Sequence, residues 1–180
     1  NVVDRSKIFW GIETLQGITI LLALIAYLAA VLLFSTTFKR FFLLQSFWII
    51  AAGLDVSWYF MGMENFQRIV FRNMLVKLAS VALIFLLVKN QGDLGKYIAL
   101  LGLSNLVGNL TLWPYLKDEI KWVPISTWHP FKHFYPALLL FIPTITTQVY
   151  LVVNRLMLGR MSTQNQLGQF QNTDQIIKVV

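Results

Sequence analysis

Residues 41–66 read FFLLQSFWIIAAGLDVSWYFMGMENF. The first half is fit for hydrocarbon, and between Phe41 and Met63 the only charge is Asp55. About 20 mostly apolar residues, rising 1.5 Å each in a helix, cross a bilayer core of ~30 Å. Inside lipid the backbone must meet its own hydrogen bonds, which predicts a helix here. Barrel strands are about half as long and alternate polar with apolar, and this run does not alternate. The carboxylate is the anomaly. A charge at mid-bilayer costs at least ~2.5–3.5 kcal/mol, so Asp55 needs a partner or water.

The pattern recurs along the chain. Apolar segments at about Thr14–Phe34, Phe41–Met63, Asn73–Val88, Tyr97–Leu116 and Phe134–Asn154 predict about five membrane helices and an all-α polytopic bundle. Composition agrees. Of 180 residues, 57% are hydrophobic and 13% charged, against ~25% charged in ordinary soluble domains. Mean hydropathy is +0.63. The net charge of +7 lies between apolar runs, so anionic lipid head groups explain it more simply than nucleic acid. Basic residues divide almost evenly between the two sides and do not set an orientation. There is no cysteine, which excludes disulfides and thiolate metal sites. The chain begins at Asn1 without a signal-peptide layout, and is expected to be an internal fragment of a longer protein.

Connections are short except at Lys117–Lys132, where KDEIKWVPISTWHPFK mixes charge, prolines and tryptophans. This is the expected boundary between helix groups: residues 1–116, a linker at 117–132, then 133–180. Trp10, Trp113, Trp122 and Trp128 fall near interfaces, as aromatic belts do.

Asp55 and Lys77, the one charge in the third segment, stand equally far from Phe66, taken as the middle of their hairpin. Equal depth predicts an Asp55–Lys77 pair. The alternative is that Lys77 snorkels to the interface and a cavity solvates Asp55. The fifth segment sets Thr144, Gln148 and Arg155 on one stripe, with Thr147, Tyr150 and Asn154 beside it. Such a face either bonds to another helix or lines a cavity. Arg155, with five donors, favours the cavity. His129 and His133 have metal-like spacing, but Pro130 interrupts the helix and further ligands are missing, so no metal site is expected. No phosphate loop or nucleophile–base arrangement appears. The chain is read as a non-enzyme without a cofactor.

The blocks DVSWYFMGMENF, VFRNMLVKLAS, GNLTLWPYLK, LFIPTITTQVYLVVNRLMLG and GQFQNTDQIIK resemble, in order and spacing, the Wzx-type oligosaccharide flippases. These belong to the superfamily that includes multidrug and toxin extruders. The likeness covers most of the chain from about Ile50; residues 1–40 match mainly in hydropathy. It implies a dozen or more helices in two bundles, of which these five are roughly the third to seventh. It also implies a cytoplasmic Asn1, a linker joining the bundles at Lys117–Lys132, and a further helix beginning at QNTDQIIKVV.

By the same resemblance, the chain is a multi-pass protein of the bacterial inner membrane. It would move undecaprenyl-pyrophosphate-linked repeat units by alternating access for O-antigen, capsule or exopolysaccharide synthesis. Partners would be that substrate, membrane lipids and the polymerase machinery, with a proton or sodium ion as coupling ion. Arg72, Lys77, Gln148 and Arg155 would line a cationic cavity. Asp55, Trp58, Gly62, Glu64, Pro143, Tyr150 and Gly159 also fall on motif positions. Many relatives carry an acid where this chain has Asn154. The alternatives are a cation extruder, which calls for an acidic cavity, and a membrane sugar transferase or polymerase, which calls for a large catalytic loop.

Overall fold

The computed structural model describes residues 2–34 and 38–177. They form an all-α, polytopic membrane bundle. Helix α1 spans Val2–Phe34, α2 Lys39–Gly53, α3 Ser57–Gly62, α4 Phe66–Leu87, α5 Leu94–Leu110, α6 Phe134–Met161 and α7 Gln164–Ile177. Short 3-10 turns lie at Gln91–Asp93, Trp113–Leu116, Ile125–Thr127 and Pro130–His133. Contacts divide the chain into two units, residues 1–133 and 134–180.

Four stretches are long and apolar enough to cross a membrane: Val2–Phe34, Lys39–Gly62, Phe66–Leu87 and Ile125–Met161. The expected segment Tyr97–Leu116 is shorter as a helix. α5 has 17 residues, ~25 Å at 1.5 Å each, and the chain then tightens into the turn at Trp113, where Pro114 sits. α1 is longer than expected. Its 33 residues reach ~50 Å, so its first turns extend past a bilayer core.

Those first turns carry the core. Phe9, Val56, Tyr59, Phe60, Ile69, Leu112, Leu116 and Ile120 form the buried apolar cluster at one end of the first unit. Towards its other end α1 turns Leu21, Leu22, Ile25, Leu32 and Leu33 outward. The arrangement follows from the solvent. Apolar burial drives packing where water competes, whereas lipid tails are as apolar as leucine.

The segment 117–133 packs on α1. Lys121 N–H donates to the fully buried Ser6 hydroxyl at 2.9 Å, and Trp10 Nε1 donates to the Lys121 carbonyl at 3.2 Å. Trp10 stacks on Trp128 at 5.3 Å and meets Trp122 edge-on at 4.6 Å. Gly11 makes room: a Cβ there would overlap the Trp128 carbonyl oxygen.

Between α3 and α4 the chain turns through Met63–Asn65. Glu64 has φ +57°, and the N–H groups of Glu64 and Asn65 donate to the carbonyls of Met61 and Phe60. This is the Schellman arrangement, with glutamate in the left-handed position that glycine usually takes.

In the second unit α6 continues through Pro143. The Thr144, Thr146 and Thr147 hydroxyls donate back to carbonyls four residues earlier. α7 begins at Gln164, ahead of the expected start; Lys178–Val180 lie outside the described residues.

Candidate functional site

The expected helix Phe41–Met63 is broken. α2 ends at Gly53 and α3 begins at Ser57, leaving Leu54–Val56 non-helical. The residue types explain the place. Asp55 Oδ1 accepts the Ser57 backbone N–H at 2.9 Å and the Ser57 hydroxyl at 2.5 Å. Short polar side chains that bond the backbone two residues on compete with the helix ladder.

The break leaves Leu54 O and Asp55 O outside the helical ladder, while Ala51 O and Ala52 O accept the N–H groups of Leu54 and Asp55. Side chains from three other elements capture them. Asn109 Nδ2, on α5, donates to Ala51 O at 2.6 Å. Gln16 Nε2, on α1, donates to Ala52 O at 2.8 Å and Asp55 O at 3.1 Å. Trp113 Nε1 donates to Leu54 O at 3.0 Å.

Arg72, on α4, ties this network to an open cleft. Its Nη1 donates to Asn109 Oδ1 at 3.0 Å and its Nη2 to Ser57 Oγ at 2.7 Å. Its Nε is buried and has no hydrogen-bond partner among the described residues. The cleft, about 460 Å³, is lined by Gln67, Arg68, Phe71, Arg72, Leu75, Val76, Thr111 and Tyr115. Arg68 stands one turn before Arg72, pairs with Glu119 at 2.8 Å, and lies over the rings of Phe60 and Tyr115 at 5.6 and 5.1 Å. Five donors per guanidinium leave N–H groups free on both arginines, and two guanidiniums with a hydroxyl and an amide suit a phosphate-type anion.

Asp55 does not meet Lys77. Lys77 is exposed, and among the described residues no ion pair joins it to Asp55. The depth comparison assumed an unbroken helix. The break shortens that arm, since α3 has only 6 residues, ~9 Å of rise. Arg72, six residues past Phe66, then matches the depth of Asp55 and reaches it through Ser57.

Gln148 and Arg155 lie on α6 in the second unit, both exposed. Arg155 pairs with Asp174 of α7 at 3.2 Å. Among the described residues no three metal-ligating side chains gather. Sequence reading missed Gln16, Ser57, Asn109 and Glu119 as partners. It also missed Glu13, which is half-buried, with Oε2 unpartnered among the described residues. The available signal was the lone amides within apolar runs, since an amide there needs a partner.

The family model described as polysaccharide biosynthesis protein matches residues 3–180. No curated protein and no solved structure matches the chain.

Proposed function

Since the chain belongs to the polysaccharide biosynthesis protein family, we propose that it is a transporter part, not an enzyme, and that it moves lipid-linked oligosaccharides. The cargo would be undecaprenyl-pyrophosphate-linked repeat units crossing the bacterial inner membrane by alternating access, in a multi-pass protein. The observation that carries the reading is the pair Arg68 and Arg72, both lining one cleft. A pyrophosphate leaving water needs charge-assisted donors in a low-dielectric site, and guanidiniums provide them in forked geometry. Lys77, Gln148 and Arg155 remain candidate contacts for later stages of the cycle. The buried Glu13 carboxylate is the one feature favouring a cation extruder. None of the four described pockets is lined by Glu13 or by Asp55, which argues against an acidic binding cavity.

The test is complementation of a flippase-null strain by the full chain. Arg68→Ala with Arg72→Ala should abolish surface polysaccharide when activity is scaled to the amount of folded protein in the membrane, since Arg72→Ala also costs stability, and Arg72→Lys should restore part of it. Full polysaccharide from the double variant would sink the reading.

A further inference from the structure

The arginine cleft does not end at Val76. On α4, Arg68, Arg72, Val76, Ala79, Leu83 and Leu87 follow one another three or four residues apart, which puts them on one face. Across the seam, Lys96, Ala99, Leu103 and Val107 of α5 do the same and run on to Thr111. The lower part of this seam is a separate furrow of about 520 Å³, apolar except for Ser104 and Lys96. Val76 lines both cavities and rests on Gly108, where a Cβ would stand 2.9 Å from its Cγ2. The two helices touch at that sill and part on either side of it.

The dimensions select an occupant. From Arg68 to Leu87 the seam runs ~28 Å at 1.5 Å per residue, the thickness of a bilayer core. The apolar part, Val76 to Leu87, is ~16 Å long. A cationic cleft continued by an apolar furrow along the bilayer normal matches an amphiphile with an anionic head and a hydrocarbon tail. Charge agrees with this. Arg68 and Arg72, against the one carboxylate of Glu119, leave positive charge at one end, while Lys96 at the other is already paired with Asp93 at 2.7 Å.

We propose that the α4–α5 seam binds one long-chain lipid phosphate lengthwise, its phosphate on Arg68 and Arg72 and its hydrocarbon tail in the furrow beyond Val76. This rests on the transport reading above and adds to it a fixed place for the tail. A tail so held keeps its hydrocarbon surroundings, and only the head group need be moved.

The experiment uses the full chain in nanodiscs with a polyprenyl phosphate carrying a photoactivatable diazirine in its tail. Crosslinks should map to Ala79, Leu83, Ala99 and Leu103 at least tenfold above Leu78, an exposed α4 residue outside the furrow. Excess unlabelled polyprenyl phosphate should remove them, and excess polyprenol, which lacks the phosphate, should not. Ala99→Phe, which narrows the furrow, should cut them severalfold. Equal labelling at Leu78 would mean bulk lipid only and overturn the proposal. Unlabelled furrow residues would do the same, including where another segment of the chain covers them. Complementation separates the two readings. If the arginine variants lose polysaccharide while the furrow stays unlabelled and Ala99→Phe complements fully, the seam proposal falls alone. Specific labelling with fully active arginine variants would overturn the transport reading alone.

Discussion

Arg72 Nη2 donates to the Ser57 hydroxyl at 2.7 Å, and that hydroxyl donates to Asp55. One guanidinium on α4 thus holds the start of α3 and, through Asn109, the end of α2. Arg72→Ala leaves Ser57, Asn109 and Asp55 to rearrange around a missing charge. Lost hydrogen bonds to a charged group predict a cost of about 2–3 kcal/mol for this half-buried side chain. Thermal unfolding in detergent, followed by tryptophan fluorescence, should show a clear fall in Tm. Arg72→Lys should recover less than half, because an ammonium cannot fork between two acceptors. An unchanged Tm for the alanine variant contradicts the arrangement.

Gln16→Leu keeps bulk and removes the donor shared by Ala52 O and Asp55 O. Two lost hydrogen bonds at a partly exposed site, with Ala52 O still accepting the Asp55 N–H, predict a loss of about 0.5–1.5 kcal/mol. Combined with Asn109→Ala, the loss should depart from additivity by about 0.5 kcal/mol or more, since both side chains close one break. Strict additivity would mean that the carbonyls are capped independently.

Two double-mutant cycles settle the partner of Asp55. The cycle with Arg72 should give a coupling of about 1 kcal/mol or more, and the cycle with Lys77 less than ~0.5 kcal/mol. Lys77→Ala alone should stay within about ±0.5 kcal/mol, as exposed substitutions do. The reverse order would restore the pair expected from equal spacing.

Gly11→Ala places a methyl against the Trp128 carbonyl. Overpacking against backbone predicts a loss of about 1–3 kcal/mol, felt locally. Limited trypsin digestion should open Lys121 and Lys132 in the variant well before other sites. Equal protection in both proteins would show that segment 117–133 tolerates displacement.

Asp93 offers a pH test. The Lys96 ammonium holds its carboxyl below the usual range, and the N–H groups of Lys89 and Asn90 add to this. A depressed folded value makes the contribution to stability present above the unfolded pKa of ~3.9 and lost as pH falls through the folded value. Wild type should therefore exceed Asp93→Asn in Tm at pH 7, and the two should converge on acidification below about pH 4. A difference that persists in acid would assign the effect to shape and not charge.

Most of the fold was legible because lipid simplifies it. Long uncharged runs left helix as the only solution, and the profile from Thr14 to Leu87 showed it. The break was hidden by that same simplicity, since hydropathy continues through Leu54, Val56 and Trp58. Gly53, Asp55 and Ser57 were turn formers in plain sight, but their effect depends on whether carbonyls find donors elsewhere. Those donors, Gln16 and Trp113, lie 39 and 59 residues from the carbonyls they serve, a distance that no local pattern records. Arg72 was selected as a cavity cation, and it does line a cleft. Its neighbour Arg68, one turn earlier, shares that cleft, and no single-residue pattern marks it.

The broken helix also has a history in time. Leu54 and the indole that caps its carbonyl are 59 residues apart. At a synthesis rate of about 5–20 residues per second, roughly 3–12 s pass before that cap exists. During those seconds Gln16, made earlier, is the partner for Ala52 O and Asp55 O, and Leu54 O has no indole to bind. Premature release into lipid would favour closing the gap as one continuous helix, with Asp55 turned towards hydrocarbon. The cap on Leu54 O is thereby among the last contacts of the break that synthesis makes available.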